Sequence, residues 1–342
     1  MKLEQIFNEN QRFLWGLSYR MTGSAADADD ILQETFVRLL QKPPANTDEP
    51  LRPWLVRVAV NLSRDVLRRR RRQGYVGQWL PAPFETENNE DLLALINLMT
   101  EGDVSDSGNP SARYETLESV SFAFLLALEL LTPTQRAVLL LRDVFDFNVA
   151  ETAEALRMTE QSVKTTHHRA RRAMREYEEK RFVPRKSLVE KTGRIVSQLV
   201  EFLTNRDTEA AAQLLAANIV SVSDGGGEFF AAKVPVAGRM KVALMLSNLL
   251  KATAGFTSQT RLVELNGLFA VATERENAPP GYAKKLATLF QLNDEGLIER
   301  IYFVMASRKL TALEKPASRN TDSSGQQDEG ATLTARKRVA DE

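Results

Sequence analysis

Hydrophobic positions recur at helical spacing through the first seventy residues of the chain. One apolar stripe runs over residues 3–21 and a second over residues 31–40. A third occupies residues 51–66 and passes directly into five consecutive arginines, 68–72. Apolar residues repeated every three or four positions indicate amphipathic helices. Residues 1–75 are therefore predicted to form a helical bundle.

The pattern breaks between residues 76 and 116. This segment contains the sequences WLPAPFETENNE and EGDVSDSGNP, in which Gly, Pro, Ser and acidic residues dominate. Such composition is typical of linkers. We predict an acidic, flexible linker between two helical domains.

Helical spacing returns over residues 117–182. Thr132, Pro133 and Gln135 form a helix start signal, with a capping residue, a proline at the first helical position and a glutamine at the third. Further on, a short helix (VAETAEAL), a brief turn (RMT) and a long basic helix follow one another. Two helices joined by three or four residues form a helix-turn-helix pattern.

Alternating patterns appear only in the last part of the chain. Two helical segments near residues 187–215 precede several strand-like runs between residues 219 and 306, separated by turn residues. Residues 184–312 are thus predicted to be an α+β domain whose helices come first and whose curved sheet is antiparallel. The polar tail, 313–342, lacks periodicity and is predicted to be disordered.

Composition excludes several classes of function. The chain has 342 residues, zero formal net charge, no cysteine and two adjacent histidines, His167 and His168. Disulfide frameworks and thiolate metal sites are excluded, and a histidine-based metal or catalytic site is disfavoured. We find no signal peptide or spanning segment, so a cytoplasmic protein without membrane contact, metal or cofactor is expected. Basic residues concentrate in two blocks, 64–72 and 164–175, which points to a polyanionic partner.

The long helix of the helix-turn-helix carries the clearest binding chemistry. If Val163, Thr166, Ala170 and Met174 face inward, the other side presents short polar groups and cations that can reach base edges and phosphates in a major groove. A solvated basic helix is the simpler interpretation, but turn, preceding helix and charge together favour DNA binding. The predicted DNA-contacting residues of this helix are Ser162, Lys164, Thr165, His168, Arg169 and Arg172.

The arginine run admits two interpretations. Cations at a helix C-terminus complement its dipole without any ligand, which accounts for one or two arginines but not for five. A strand of phosphates does account for arginines that fan outward.

Two acidic features have weaker signals. The helix DADDILQETFVRLL has a polar face that is either solvated or a protein docking surface. Asp224 opens a glycine-rich turn, DGGG, which joins strands rather than starting a helix, so a phosphate-binding loop is excluded. Asp224 near a pocket mouth could act as a general base, but no histidine or paired acid supports that role.

These motifs together resemble a known family. RFLWGLSYRMTGSAADADDILQETFVRLL with LRPWLVRVAVNLSRDVLRRRRR resembles region 2 of bacterial extracytoplasmic-function (ECF) sigma factors, and LTPTQRAVLLLRDVFDFNVAETAEALRMTEQSVKTTHHRARRAM resembles their region 4. The last domain is similar to the cone-shaped SnoaL-like (NTF2-like) fold, which one group of these factors carries. That group's marks are WLPAP, with Ala82 where an acid is usual, DGGG, and NGLFA, with Phe269 where proline is usual. The group's late motif is not clear in ASRKL, residues 306–310, so no role is assigned there.

The resemblance implies a role for each matching position. Core RNA polymerase would be bound by Asp27, Asp30, Gln33, Glu34 and Arg38. The −10 promoter element would be bound by Asn61, Arg64, Arg68 and Arg69, and the −35 element by the long helix of region 4. Regulatory positions would be Trp79, Leu80, Pro81, Pro83, Asp224, Gly225, Gly226, Asn266 and Gly267.

The expected architecture is multidomain, with two all-α sigma domains followed by an α+β SnoaL-like domain. We expect a non-enzymatic sigma factor that binds core RNA polymerase and promoter DNA and is modulated in cis by its C-terminal domain. Two alternatives stay open, a ligand-sensing DNA-binding regulator and a small-molecule isomerase or cyclase acting through the last domain. A small-molecule ligand in the C-terminal domain is compatible with each.

Overall fold

The computed structural model describes residues 3–44, 50–72, 75, 77–86, 116–179 and 185–313. Its first domain is a bundle of three helices, α1 (Leu3–Thr22), α2 (Ala25–Gln41) and α3 (Arg52–Arg72). Ser24 caps α2 by accepting a hydrogen bond from the Asp27 amide. The bundle's own core is built from the apolar stripes of the three helices: Leu14, Ile31, Phe36, Leu39, Leu55 and Ala59.

A second helical domain follows residue 115. Its elements are α4 (Thr116–Ser119), α5 (Phe122–Leu128), α6 (Pro133–Asp143), α7 (Val149–Leu156), α8 (Glu160–Ala173) and α9 (Arg175–Glu179). The predicted start of α6 is confirmed, because Thr132 and Gln135 form both hydrogen bonds of a capping box. Helices α7 and α8 are the predicted helix-turn-helix.

The two helical domains pack against each other through buried arginines. Arg20 on α1 is fully buried and donates from Nη2 to Ser119 Oγ at 2.8 Å, while Arg136 on α6 donates to the Met21 carbonyl at 2.6 Å. One apolar cluster contains Leu17 and Val60 from the first domain and Leu128 and Leu140 from the second. The domains therefore form a closed arrangement.

The C-terminal domain contains helices and a six-stranded sheet. In chain order its elements are α10 (Lys186–Thr204), α11 (Thr208–Gln213), β1 (Leu215–Asp224), β2 (Val236–Ala237), α12 (Arg239–Thr253), β3 (Ser258–Leu265), β4 (Leu268–Arg275), β5 (Lys285–Leu292) and β6 (Ile298–Val304). Two 3₁₀ turns follow, Ser307–Lys309 and Thr311–Leu313. The strand order is β2-β1-β6-β5-β4-β3.

Two expectations for this domain were wrong. The sheet is mixed, because β1 pairs with β6 in parallel, whereas the other ladders are antiparallel. Helix α12 interrupts the strands, so the helices do not all come first. Its sequence, RMKVALMLSNLLKAT, has an apolar character that spreads around the helix and is easily taken for strand.

Both faces of the sheet are covered. Phe290, Ile301 and Phe303 face the helices α10–α12, with which they share a core. On the other face, Leu289, Tyr302 and Val304 pack against Leu80 of the linker and Phe122 of the second helical domain. The Phe122 and Tyr302 rings lie 4.9 Å apart between centroids. The sheet is thus the surface on which the N-terminal half of the chain docks.

Part of the segment predicted to be a flexible linker is packed. Leu80, Ala82 and Phe84 are 1%, 3% and 3% exposed, because their apolar side chains are buried against the neighbouring domains. The rest of that prediction, residues 87–115, and nearly all of the predicted disordered tail lie outside the described residues. No helix in the described ranges is both long and apolar enough to cross a membrane.

Candidate functional site

Helix α8 presents its predicted DNA-contacting residues to solvent. Val163, Ala170 and Met174 are fully buried, and Thr166 is half-buried. The six positions named from the sequence are all exposed on the other side: Ser162, Lys164, Thr165, His168, Arg169 and Arg172. A helix of this polarity can enter a major groove with its exposed face.

A buried carboxylate holds α8 against α6. Asp143, at the end of α6, is 1% exposed and lies 2.8 Å from His167 Nε2 and 2.7 Å from Arg171 Nη2. Burial acts to raise the pKa of Asp143, but the hydrogen bonds from His167 and Arg171 outweigh it and lower that pKa. The ionised carboxylate therefore fixes the inner face of the helix, a role that the sequence did not reveal.

Replacing Asp143 with asparagine tests this anchor. We expect Asp143→Asn to lower the free energy of unfolding by about 1–3 kcal/mol at neutral pH, because a charged acceptor is lost. A carboxylate with a lowered pKa contributes its stability above the unfolded-state pKa of about 3.9 and loses it as the pH falls further. The difference between wild type and variant, measured by urea unfolding, should therefore shrink below about pH 4. A difference that stays constant down to pH 2 would contradict the role.

The turn before α8 uses an unusual residue. Arg157, which stands where glycine is common, has a left-handed backbone with φ of 51°. Two backbone carbonyls just before this turn, at the end of α7, accept hydrogen bonds from the first domain. Arg57 on α3 donates to Ala155 O at 3.3 Å and to Glu154 O at 2.9 Å. The helix-turn-helix is thus tied to α3.

Six of the nine predicted polymerase-binding and −10-binding residues line one groove between α2 and α3. Asp27, Asp30, Glu34 and Arg38 line it from α2, while Arg68 and Arg69 line it from α3. Gln33, Asn61 and Arg64 are not among the lining residues. The ion pairs Glu34–Arg38 and Asp65–Arg68, at 2.8 and 2.6 Å, lie on exposed side chains and contribute little stability. These cations and acids are therefore available to partners.

The predicted regulatory residues converge on two points of the C-terminal sheet. At the first, which we call the Asp224 clamp, the Asp224 carboxylate is fully buried and accepts hydrogen bonds from Tyr75 Oη, from the Leu80 amide at 2.8 Å and from Lys309 Nζ. Lys309 also donates to the Leu80 carbonyl. The clamp thus binds both the amide and the carbonyl of Leu80 in the linker backbone.

Sequence reasoning missed Lys309. It lies in ASRKL, to which no role was assigned, and it is 7% exposed. Burial lowers its pKa to about 8, although Asp224 acts in the opposite direction. Burial also raises the pKa of Tyr75, helped by its hydrogen bond to Asp224. No local signal in the sequence marks this lysine, because its burial depends on packing against the distant residues Leu80 and Asp224.

The second point is the Asn266 hub. Asn266 is fully buried with φ of 48°. Its Oδ1 accepts from the Phe84 amide at 3.1 Å, and its Nδ2 donates to Val120 O at 2.8 Å and to Tyr19 Oη at 3.0 Å. Tyr19 in turn donates to Ala82 O at 3.0 Å. One side chain therefore joins the linker, both helical domains and the sheet.

Glycines fit these points closely. Gly226, with φ of 62°, donates its amide to Asp224 Oδ1 at 3.0 Å, and a Cβ there would lie 2.8 Å from Ala306 Cβ. Gly267, with φ of 76°, donates to Thr86 Oγ1 at 3.2 Å. Gly225 has similarly little space, since a Cβ would lie 2.7 Å from the Phe229 carbonyl oxygen. Pro81 and Pro83 are buried in the same linker segment.

The general-base interpretation of Asp224 does not match its position. The carboxylate lies beneath the linker rather than at a pocket mouth, and both of its oxygens are engaged. A substrate could reach it only after the linker had left.

Two family models match separate parts of the chain. The model of sigma-70 region 2 matches residues 6–73, and that of sigma-70 region 4 matches residues 121–174. The ECF RNA polymerase sigma factor SigJ of Mycobacterium tuberculosis is 28% identical over 284 residues, which cover 81% of this chain and 82% of SigJ. SigG of the same species is 38% identical over 164 residues, covering 47% of this chain and 44% of SigG.

A solved structure extends the likeness to the last domain. The crystal structure of M. tuberculosis SigJ aligns with a TM-score of 0.65 and 25% identity, covering 90% of this chain and 98% of that one. Coverage of this extent includes the C-terminal mixed-sheet domain as well as both helical ones. The chain therefore contains sigma-70 regions 2 and 4 and is homologous along most of its length to the ECF RNA polymerase sigma factor SigJ, including the mixed-sheet domain at its C-terminal end.

Proposed function

We propose that this sigma factor directs core RNA polymerase to specific promoters and that its C-terminal domain restrains it by holding the linker. The factor itself performs no catalysis and acts in the cytoplasm. The observation that carries the regulatory part is the burial of the linker on the sheet of the C-terminal domain, where Leu80 is 1% and Phe84 is 3% exposed. A linker fixed in this way cannot let regions 2 and 4 separate.

Promoter geometry requires that separation. Elements centred about 25 base pairs apart are ~85 Å apart along B-form DNA, at about 3.4 Å per base pair. Helix α3 has 21 residues and α8 has 14, so they are ~32 and ~21 Å long. Arg57 joins α3 to α7, the neighbour of α8, and packed helices lie about 10 Å apart. Even the far ends of α3 and α8 are therefore too close to reach both elements.

The promoter-binding part is tested by run-off transcription. Sigma-free core polymerase from the source organism, supplied with fragmented genomic DNA and the full chain, should yield discrete new start sites. Lys164→Glu and Arg169→Ala should each reduce that output at least tenfold, because each removes an exposed cation from the side of α8 that would face the major groove of the DNA. Glu179→Ala, also exposed but outside α8, serves as the control. Transcription unaffected by both α8 variants would contradict the assignment of this helix.

The restraint is tested with an engineered disulfide, because the chain has no native cysteine. Glu85 and Leu265 are partners in an antiparallel bridge, whose spacing suits a disulfide. We expect the Glu85→Cys/Leu265→Cys variant to support run-off transcription when reduced and to be strongly inhibited when oxidised. Each single-cysteine variant should give the same transcript output under both conditions. Equal output from the oxidised and reduced forms would show that the linker need not leave the sheet.

A further inference from the structure

Arg70 differs from the rest of the arginine run. Arg68, Arg69, Arg71 and Arg72 are exposed, whereas the Arg70 side chain is 17% exposed and turns inward. Its Nη2 donates to the Thr22 carbonyl at 2.7 Å and lies 3.6 Å from the Asp27 carboxylate. Its guanidinium lies over the Trp79 ring, 4.1 Å from the centroid. The expectation that all five arginines fan outward was therefore wrong for this one.

Trp79 is shared between the arginine run and the C-terminal domain. Lys309 Nζ lies 4.2 Å from the centroid of the same indole ring. The ring also packs tightly on the turn between α1 and α2, since a Cβ at Gly23 would lie 2.4 Å from it. One side chain of the linker thus contacts region 2, the arginine run and the Asp224 clamp.

The hydrogen bonding of Arg70 in this position is incomplete. A guanidinium has five N–H donors, and the buried Arg70 Nη1 has no acceptor among the described residues. Burial lowers the pKa of Arg70, although the carboxylates of Glu129 and Asp27 act in the opposite direction. A phosphate would offer two charge-assisted acceptors to the same fork. The residue is therefore placed where a DNA strand can compete for it.

We propose that Arg70 binds the promoter strand and that the closed chain prevents this by holding Arg70 on Trp79. Strand binding along the arginine run and docking of the linker then exclude each other. The proposal rests on the proposed function, because it takes the arginine run to be a DNA contact. While Trp79 is docked, the Arg70 side chain is only 17% exposed and its Nη1 is buried, so a phosphate cannot reach the guanidinium until the linker leaves. Linkage then requires that linker docking weakens strand binding by the same factor as strand binding weakens docking.

A double-mutant cycle on the full chain tests this exclusion. The probe is a fluorescent single-stranded DNA oligonucleotide of mixed sequence, titrated with wild type, Trp79→Ala, Arg70→Ala and the double variant at one fixed salt concentration. Trp79→Ala should tighten binding about fivefold or more, whereas the same change in the Arg70→Ala background should tighten it less than twofold. Trp79→Phe, which keeps an aromatic ring, provides a conservative variant and should give a smaller gain.

Arg71 supplies the matched control. It lies next to Arg70 in the run but is exposed, so Arg71→Ala should weaken binding while leaving the effect of Trp79→Ala unchanged. Equal tightening by Trp79→Ala with and without Arg70 would overturn the proposal, as would an absence of tightening in a folded Trp79→Phe protein. If wild type, Trp79→Ala and Arg71→Ala all fail to bind the oligonucleotide, the DNA role of the arginine run itself is wrong, which the run-off assay would show independently.

Discussion

Asp224→Ala is expected to release the linker from the C-terminal domain. The substitution leaves the buried Lys309 cation without its partner and removes the acceptor of the Leu80 amide. Breaking a buried ion pair by removing one member costs about 3–5 kcal/mol. We expect a loss of this size in linker docking, seen as rapid proteolysis within the linker and as higher run-off transcription from the full chain.

The double variant Asp224→Ala/Lys309→Met is the matched control. It removes both charges, so no unpaired cation is left in the buried clamp, and replacing both partners is much less costly than replacing one. We expect protease resistance intermediate between wild type and Asp224→Ala. If Asp224→Ala leaves both the cleavage rate and the transcription unchanged, the clamp does not hold the linker.

The helices of this protein follow from local sequence because their signals are local. The capping box of Thr132 and Gln135 and the inward stripe of Val163, Ala170 and Met174 each lie within one or a few turns. The parallel pairing of β1 with β6 could not be predicted in this way. It joins residues about eighty positions apart, such as Ser221 and Ile301, and no short-range pattern specifies strand direction.

The same contrast between local signals and long-range contacts applies to the predicted regulatory residues. Motif resemblance identified Trp79, Asp224 and Asn266 as positions of interest, but not their partners. Lys309 bonds to Leu80 across 229 positions and Asn266 to Tyr19 across 247. A lysine or tyrosine in an ordinary helical or terminal segment carries no mark of such a contact, since its burial is decided by the packing of distant elements.

Asn266→Ala is expected to have the second large effect, because one residue serves three domains. The change removes the acceptor of the Phe84 amide and the donor to Val120 O and Tyr19 Oη, all in a fully buried site. Each buried polar group left without a partner costs about 1–3 kcal/mol, and the costs are not additive. A loss of about 3–5 kcal/mol is expected in urea unfolding of the full chain, with earlier cleavage between residues 84 and 120.

Two further variants separate the side chain of Asn266 from its backbone. With φ of 48°, alanine is strained and glycine is not, so Asn266→Gly should recover only about 1 kcal/mol of the loss. Asn266→Asp keeps an acceptor for the Phe84 amide but places an oxygen against Val120 O, and should be about as damaging as alanine. Near-complete recovery by glycine would mean that residue 266 acts through its turn conformation alone. Persistent loss in both variants would show that the amide side chain holds the closed arrangement.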